Sequence, residues 1–141
     1  MLSKEQIGII KYTWLRVVPI ADVAAMLFYD NLLRSHPELK PMFARSDMAE
    51  QRKKLVASLN LVVLSLDSLE SVLPALRSLG RKHVGYGVQE EHYDAVGTAL
   101  LETLGQGLGT EFTPEARAAW TTAYGMIASV MKEAAAVGVA A

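Results

Sequence analysis

No stretch of this chain alternates apolar and polar residues with the two-residue period of a half-buried strand, whereas apolar residues recur at helical spacing almost from end to end. That pattern excludes a sheet and leaves an all-α fold. Punctuation divides it. Ser3, three residues ahead of Gln6, forms a capping box, with Leu2 placed to staple onto Ile7. Ile7, Ile10, Trp14 and Val17 then repeat until Pro19 stops the helix. A second helix over about 20–35 carries Val23, Met26, Leu27 and Leu32, and Pro37 opens a short one through Phe43. A third covers about 49–66 and breaks at Asp67-Ser68; a fourth covers 69–84, its start drawn toward Val72 because Pro74 belongs in a first turn. Gly85-Tyr86-Gly87 ends it. A fifth, 90–104, is closed by the alternating glycines Gly105, Gly107 and Gly109. Thr113-Pro114-Glu115 supplies an N-cap, a first-position proline and an acid in the first turn of a last helix reaching about Ala136. Six or seven helices of unequal length do not make a symmetric four-helix bundle; they read as an irregular pack around something.

At 141 residues the expectation is one domain, 1–141. The absence of cysteine removes disulfides, thiolate metal sites, cysteine nucleophiles and thioether-linked cofactors. Fourteen basic against fifteen acidic side chains, a formal charge of −1, leaves no field to attract nucleic acid or anionic lipid. Apolar runs such as 23–29 fall far short of the roughly 20 residues of a membrane span. Ser3-Lys4-Glu5-Gln6 stands where a signal peptide would have its apolar stretch, so the expected location is cytoplasmic.

Few side chains suggest chemistry. His36 precedes a proline at a helix boundary, and His92 stands beside Glu90 and Glu91 in a first turn, where exposure or capping is ordinary. His83 shares a helix face with Leu76 and Leu79, which suits a satisfied core histidine as well as a ligand. Gln51 and Leu55 lie at i and i+4, leading a stripe continued by Leu59, Val62 and Leu66. Tyr29, in a very apolar helix, should be buried, and a buried phenol needs a hydrogen-bond partner. Arg52-Lys53-Lys54 reads as a solvated face. The glycine group at 105–109 follows no strand, and no H-E-x-x-H, Walker or G-x-S-x-G motif is present.

Leu27-Phe28-Tyr29-Asp30-Asn31-Leu32, His36-Pro37-Glu38-Leu39, Met42-Phe43, Gln51-Arg52-Lys53-Lys54-Leu55, Leu79-Gly80-Arg81-Lys82-His83 with Tyr86-Gly87-Val88, His92-Tyr93, Ala119-Trp120 and Ala123-Tyr124-Gly125 resemble, in order and spacing, the bacterial single-domain globins and the haem domain of flavohaemoglobins. The resemblance implies a globin fold, six to eight helices packed around a haem pocket, with noncovalent haem b as the iron cofactor. It implies His83 as the proximal iron ligand and Phe43 as the residue wedging the porphyrin. Tyr29, Gln51 and Leu55 match the distal trio, in which Tyr29 and Gln51 would donate to dioxygen and Leu55 would keep the site dry. Leu79, Val88, Tyr93 and Val96 fall among the cofactor-binding positions. Lys54 and Lys82 stand either as partners of the haem propionates or as solvated rim side chains. One position departs from the flavohaemoglobin pattern: Ala135 stands where a proximal glutamate belongs, and Glu133 lies about 200° away round the helix. That weakens electron push on the iron and tells against peroxidase-like chemistry. The activity implied is reversible dioxygen binding with nitric oxide dioxygenation, or alternatively oxygen storage or facilitated diffusion without catalysis. The implied partners are O2, NO and CO and an external electron donor or reductase, with no nucleic acid or membrane, in a monomer or weak dimer.

Overall fold

A computed structural model describes residues 2–85 and 88–140. Helix α1, Lys4–Val17, starts on the expected capping box: the Gln6 N–H donates to Ser3 Oγ at 3.1 Å and the Ser3 N–H to Gln6 Oε1 at 3.0 Å. Pro19 falls in a single 3₁₀ turn, Val18–Ile20, so α2 begins one residue later than its pattern suggested, at Ala21, and runs to Ser35. The segment after it, Pro37–Phe43, is 3₁₀ rather than α, a geometry that accommodates Pro41 within it.

Asp47 accepts from the N–H groups of Ala49 and Glu50 at 3.0 and 3.3 Å and starts α3, Met48–Leu64. A 3₁₀ segment, Leu66–Val72, interrupted by the non-helical Ser68, leads into α4, Leu73–Gly85, with Pro74 in its first turn. Helix α5, Glu90–Leu108, overruns its expected end by four residues, passing through Gly105 and Gly107. Both glycines lie at packing contacts: side chains there would come within 3.6 Å of Phe112 and Ile20. The chain leaves the helix only at Gly109, whose φ of 57° suits a residue without a Cβ. Thr113 Oγ1 accepts from the Ala116 N–H at 3.1 Å at the head of α6, Pro114–Ala140, which runs four residues past its expected end. Val23 and Met26, expected to point inward, are more than half exposed; the inward face of α2 is carried by Ala25, Phe28, Asn31 and Leu32.

The main core centres on Ile10, Trp14, Phe28, Leu32, Leu104, Ala119 and Trp120. Its polar atoms are satisfied inside it: Trp120 Nε1 donates to Thr13 Oγ1 at 2.9 Å, and Trp14 Nε1 to Asn60 Oδ1 at 3.0 Å. A second, smaller cluster joins Tyr93, Ala128 and Met131, and Tyr124 and Ile127 pack against both.

Two seams position everything that follows. Helix α2 packs on α5 through Asn31, which is 1% exposed. Its Nδ2 donates to Thr103 Oγ1 at 3.1 Å and to Gln106 Oε1 at 2.9 Å, while its Oδ1 accepts from Arg34 at 2.7 Å. Helix α4 makes its broadest contact with α6, and the crossing is so close that a Cβ on Gly80 would lie 2.8 Å from Met131 Cα. Among the described residues no single helix is long and apolar enough to cross a membrane.

Candidate haem site

The residues picked out in the sequence fall on two walls. One is built by α2, the 3₁₀ segment after it and α3; the other by α4, α5 and α6. On the first wall Tyr29 is half-buried, and burial raises its phenol above the ordinary tyrosine range, so the hydroxyl is a protonated donor at neutral pH. Its ring meets Phe43 edge-on, centroids 5.7 Å apart. Its hydroxyl reaches Gln51, at 3.4 Å, through the backbone carbonyl and not the amide. That is a long, weak bond. Leu55, one turn beyond Gln51, is half-buried and packs against the main core. Lys54 is exposed.

On the second wall His83 is half-buried, and its Nδ1 lies 2.7 Å from the carbonyl oxygen of Leu79, one turn back. A carbonyl only accepts, so the proton sits on Nδ1 and Nε2 carries the lone pair. Burial lowers the imidazole's affinity for a second proton, opposed by that hydrogen bond. A neutral imidazole with its back nitrogen anchored and its front nitrogen basic is the form that ligates a metal. Among the described residues no three His, Cys, Asp or Glu side chains converge to hold a metal ion. The Val88 N–H donates to the His83 carbonyl at 3.0 Å, and Leu79 and Val88 both pack on the cluster around Tyr93. Val96 is half-buried and packs against the main core; Lys82 is exposed. Tyr86 and Gly87, quoted above for the resemblance, lie outside the described residues.

The remaining histidines take modest roles. His36 meets Glu38 at 2.9 Å, and His92 Nδ1 accepts from the Gln89 N–H at 2.9 Å, capping α5. Behind Leu55 lies an apolar void of ≈ 30 Å³, walled also by Trp14, Ala24, Phe28, Leu59 and Leu100. A second, ≈ 20 Å³, shares Leu59 and Leu100 with it and reaches Tyr124 and Ile127.

The sequence pattern of the globin family matches residues 26–131, which include every residue named on both walls. The chain is a globin. It is 33% identical over 130 residues to a flavohaemoprotein of Bacillus subtilis, covering 91% of this chain and 33% of that one. A flavohaemoprotein of Rhodopirellula baltica gives 32% over 132 residues, with 92% and 32% coverage. This globin thus spans about a third of the length of the curated relatives it matches. Among solved structures, a bacterial globin from Campylobacter jejuni superposes with a TM-score of 0.87 at 29% identity, covering 99% of this chain and 100% of that one. An engineered carbene transferase from Rhodothermus marinus gives 0.90 at 23% identity, with 99% and 97% coverage, which is a likeness of fold alone.

Three features of this globin escaped the sequence. Gln51 presents its carbonyl to Tyr29, a matter of helix orientation. Asn31 carried no assigned role, although a polar residue amid apolar neighbours on α2 was a usable signal. Lys132 stands with its Nζ 5.6 Å from the centroid of the Tyr93 ring, a contact between helices that no local spacing encodes.

Proposed function

We propose that this globin binds haem b noncovalently through His83 Nε2, retains dioxygen beside Tyr29, and oxidises nitric oxide to nitrate with electrons from an external reductase. When bound, haem supplies reversible coordination of a diatomic gas at ferrous iron and the electron that lets dioxygen and nitric oxide combine as nitrate. The observation that carries the reading is the anchored, neutral His83. The flavohaemoprotein relatives, themselves haem proteins by name, support it.

This chain's residues then divide the work. Leu79 orients the imidazole through its carbonyl; Val88, Tyr93 and Val96 would supply apolar surface for the porphyrin, and Phe43 an aromatic ring. Tyr29 offers a hydroxyl whose bond to Gln51 is weak enough to be exchanged for one to a partly negative oxygen, which slows ligand escape. The Gln51 amide would be a second donor. Leu55 excludes water, and the exposed Lys54 and Lys82 can meet the propionates at the rim. Strong retention suits reaction better than delivery, which favours dioxygenation over storage.

The test begins with haem added to purified protein. A sharp Soret band that His83→Ala abolishes is the expected result; no band, or a band unchanged in the variant, overturns the ligand assignment. In the ferrous oxygenated protein, Tyr29→Phe should speed dioxygen release about tenfold or more, the loss of one charge-assisted hydrogen bond. Sustained nitric oxide consumption with a reductase separates dioxygenation from storage.

A further inference from the structure

We propose that Lys132 is a positioning charge on the proximal side, biasing the iron held by His83 toward its ferrous state. The inference rests on the haem reading above. Tyr93 is 7% exposed, and among the described residues its hydroxyl has no hydrogen-bond partner. No carboxylate serves this phenol. The ammonium of Lys132 lies over its ring, 5.6 Å from the centroid, itself half-buried and in no ion pair within 4 Å among the described residues. Glu133 follows on α6 and is exposed, as are Asp94 on α5 and Arg81 and Lys82 on α4.

The cluster that holds Tyr93 also connects to the iron ligand. Leu79 and Val88 pack on it, and these two residues make the backbone bonds that fix His83 at either end. Lys132 therefore stands over the ring whose cluster includes the two residues that fix His83. A cation there favours the less positively charged oxidation state of a nearby metal, and a partly buried charge is poorly screened. The π-face of Tyr93 holds the ammonium in place. Electrostatics around the proximal ligand is a recognised lever on haem potential.

The experiment uses the haem-loaded chain and reads its reduction potential and the iron–histidine stretching band of the ferrous form. Lys132→Met should lower the ferrous-to-ferric ratio at fixed poise by about threefold to tenfold, tenfold being about 59 mV for one electron. Lys132→Arg should keep the native ratio, and Lys132→Glu should lower it further and shift the stretching band. Lys132→Gln gives a second neutral variant should methionine disturb packing. A Soret band of native shape with an unmoved potential in both neutral variants overturns this inference alone. Failure of the unaltered chain to bind haem overturns it together with the site. A merely structural role would lower thermal stability and leave the potential in place.

Discussion

The α2–α5 and α4–α6 seams hold the two walls by opposite means. The first is tied by a buried amide: Asn31 spends both donors and its acceptor on Thr103, Gln106 and Arg34. The second is tied by proximity, with Gly80 letting the backbone of α4 come against that of α6 at Met131. Each tie lies within one turn of a site residue, Asn31 two positions after Tyr29 and Gly80 three before His83. Hydrogen bonds specify direction and partner; close packing specifies distance. The wall carrying Tyr29 is thus oriented, with a tyrosine still able to change partners, while the wall carrying His83 is set at a fixed depth.

Cutting the polar tie should have the largest effect. Asn31→Ala empties a buried position and takes a partner from the buried Thr103 hydroxyl, while the exposed Gln106 and Arg34 can turn to water. It should cost about 2–3 kcal/mol in urea unfolding. A loss under about 1 kcal/mol would mean that the seam is apolar packing with polar decoration. Crowding the close crossing comes next. Gly80→Ala forces α4 away from Met131 and should cost about 1–3 kcal/mol despite alanine's better helix propensity, with a weakened Soret band after haem addition as His83 moves. A stabilised variant would show that the crossing has slack. Tyr93→Phe removes a buried hydroxyl with no hydrogen-bond partner among the described residues and should stabilise the chain by about 1 kcal/mol, the reverse of the sign for Asn31. The smallest effect appears only in alkali. Burial raises the phenols of Tyr29, Tyr93 and Tyr124 in the folded state. The unfolded chain releases these protons near pH 10 while the folded chain keeps them, so stability is full below that pH and falls as pH rises through it. Tyr124, pushed up furthest, should account for the largest share, and Tyr124→Phe should flatten the alkaline slope.

Much of this architecture was legible because helix ends are written locally. Ser3 with Gln6 and Thr113 with Pro114 mark their helices without reference to the rest of the chain. Gly105 and Gly107 misled for the same reason: glycine pairs locally signal a stop, and the packing against Phe112 and Ile20 that keeps them helical is not local. Val23 and Met26 repeat at helical spacing, but the face that α2 buries is that of Ala25, Phe28, Asn31 and Leu32. On the site, His83 stood out by its apolar face and Tyr29 by its burial. Lys132, brought to Tyr93 by the packing of α5 against α6, was not legible, because no local spacing encodes that contact.

The two apolar spaces that share Leu59 and Leu100 have a consequence under pressure. Compression favours whichever state eliminates empty volume, and imperfectly filled spaces of ≈ 30 and ≈ 20 Å³ add to the volume lost on unfolding. Hydrostatic load should therefore be felt first around Leu59 and Leu100, the two side chains common to both spaces. A gas small enough to fill them would make the folded chain harder to squeeze apart.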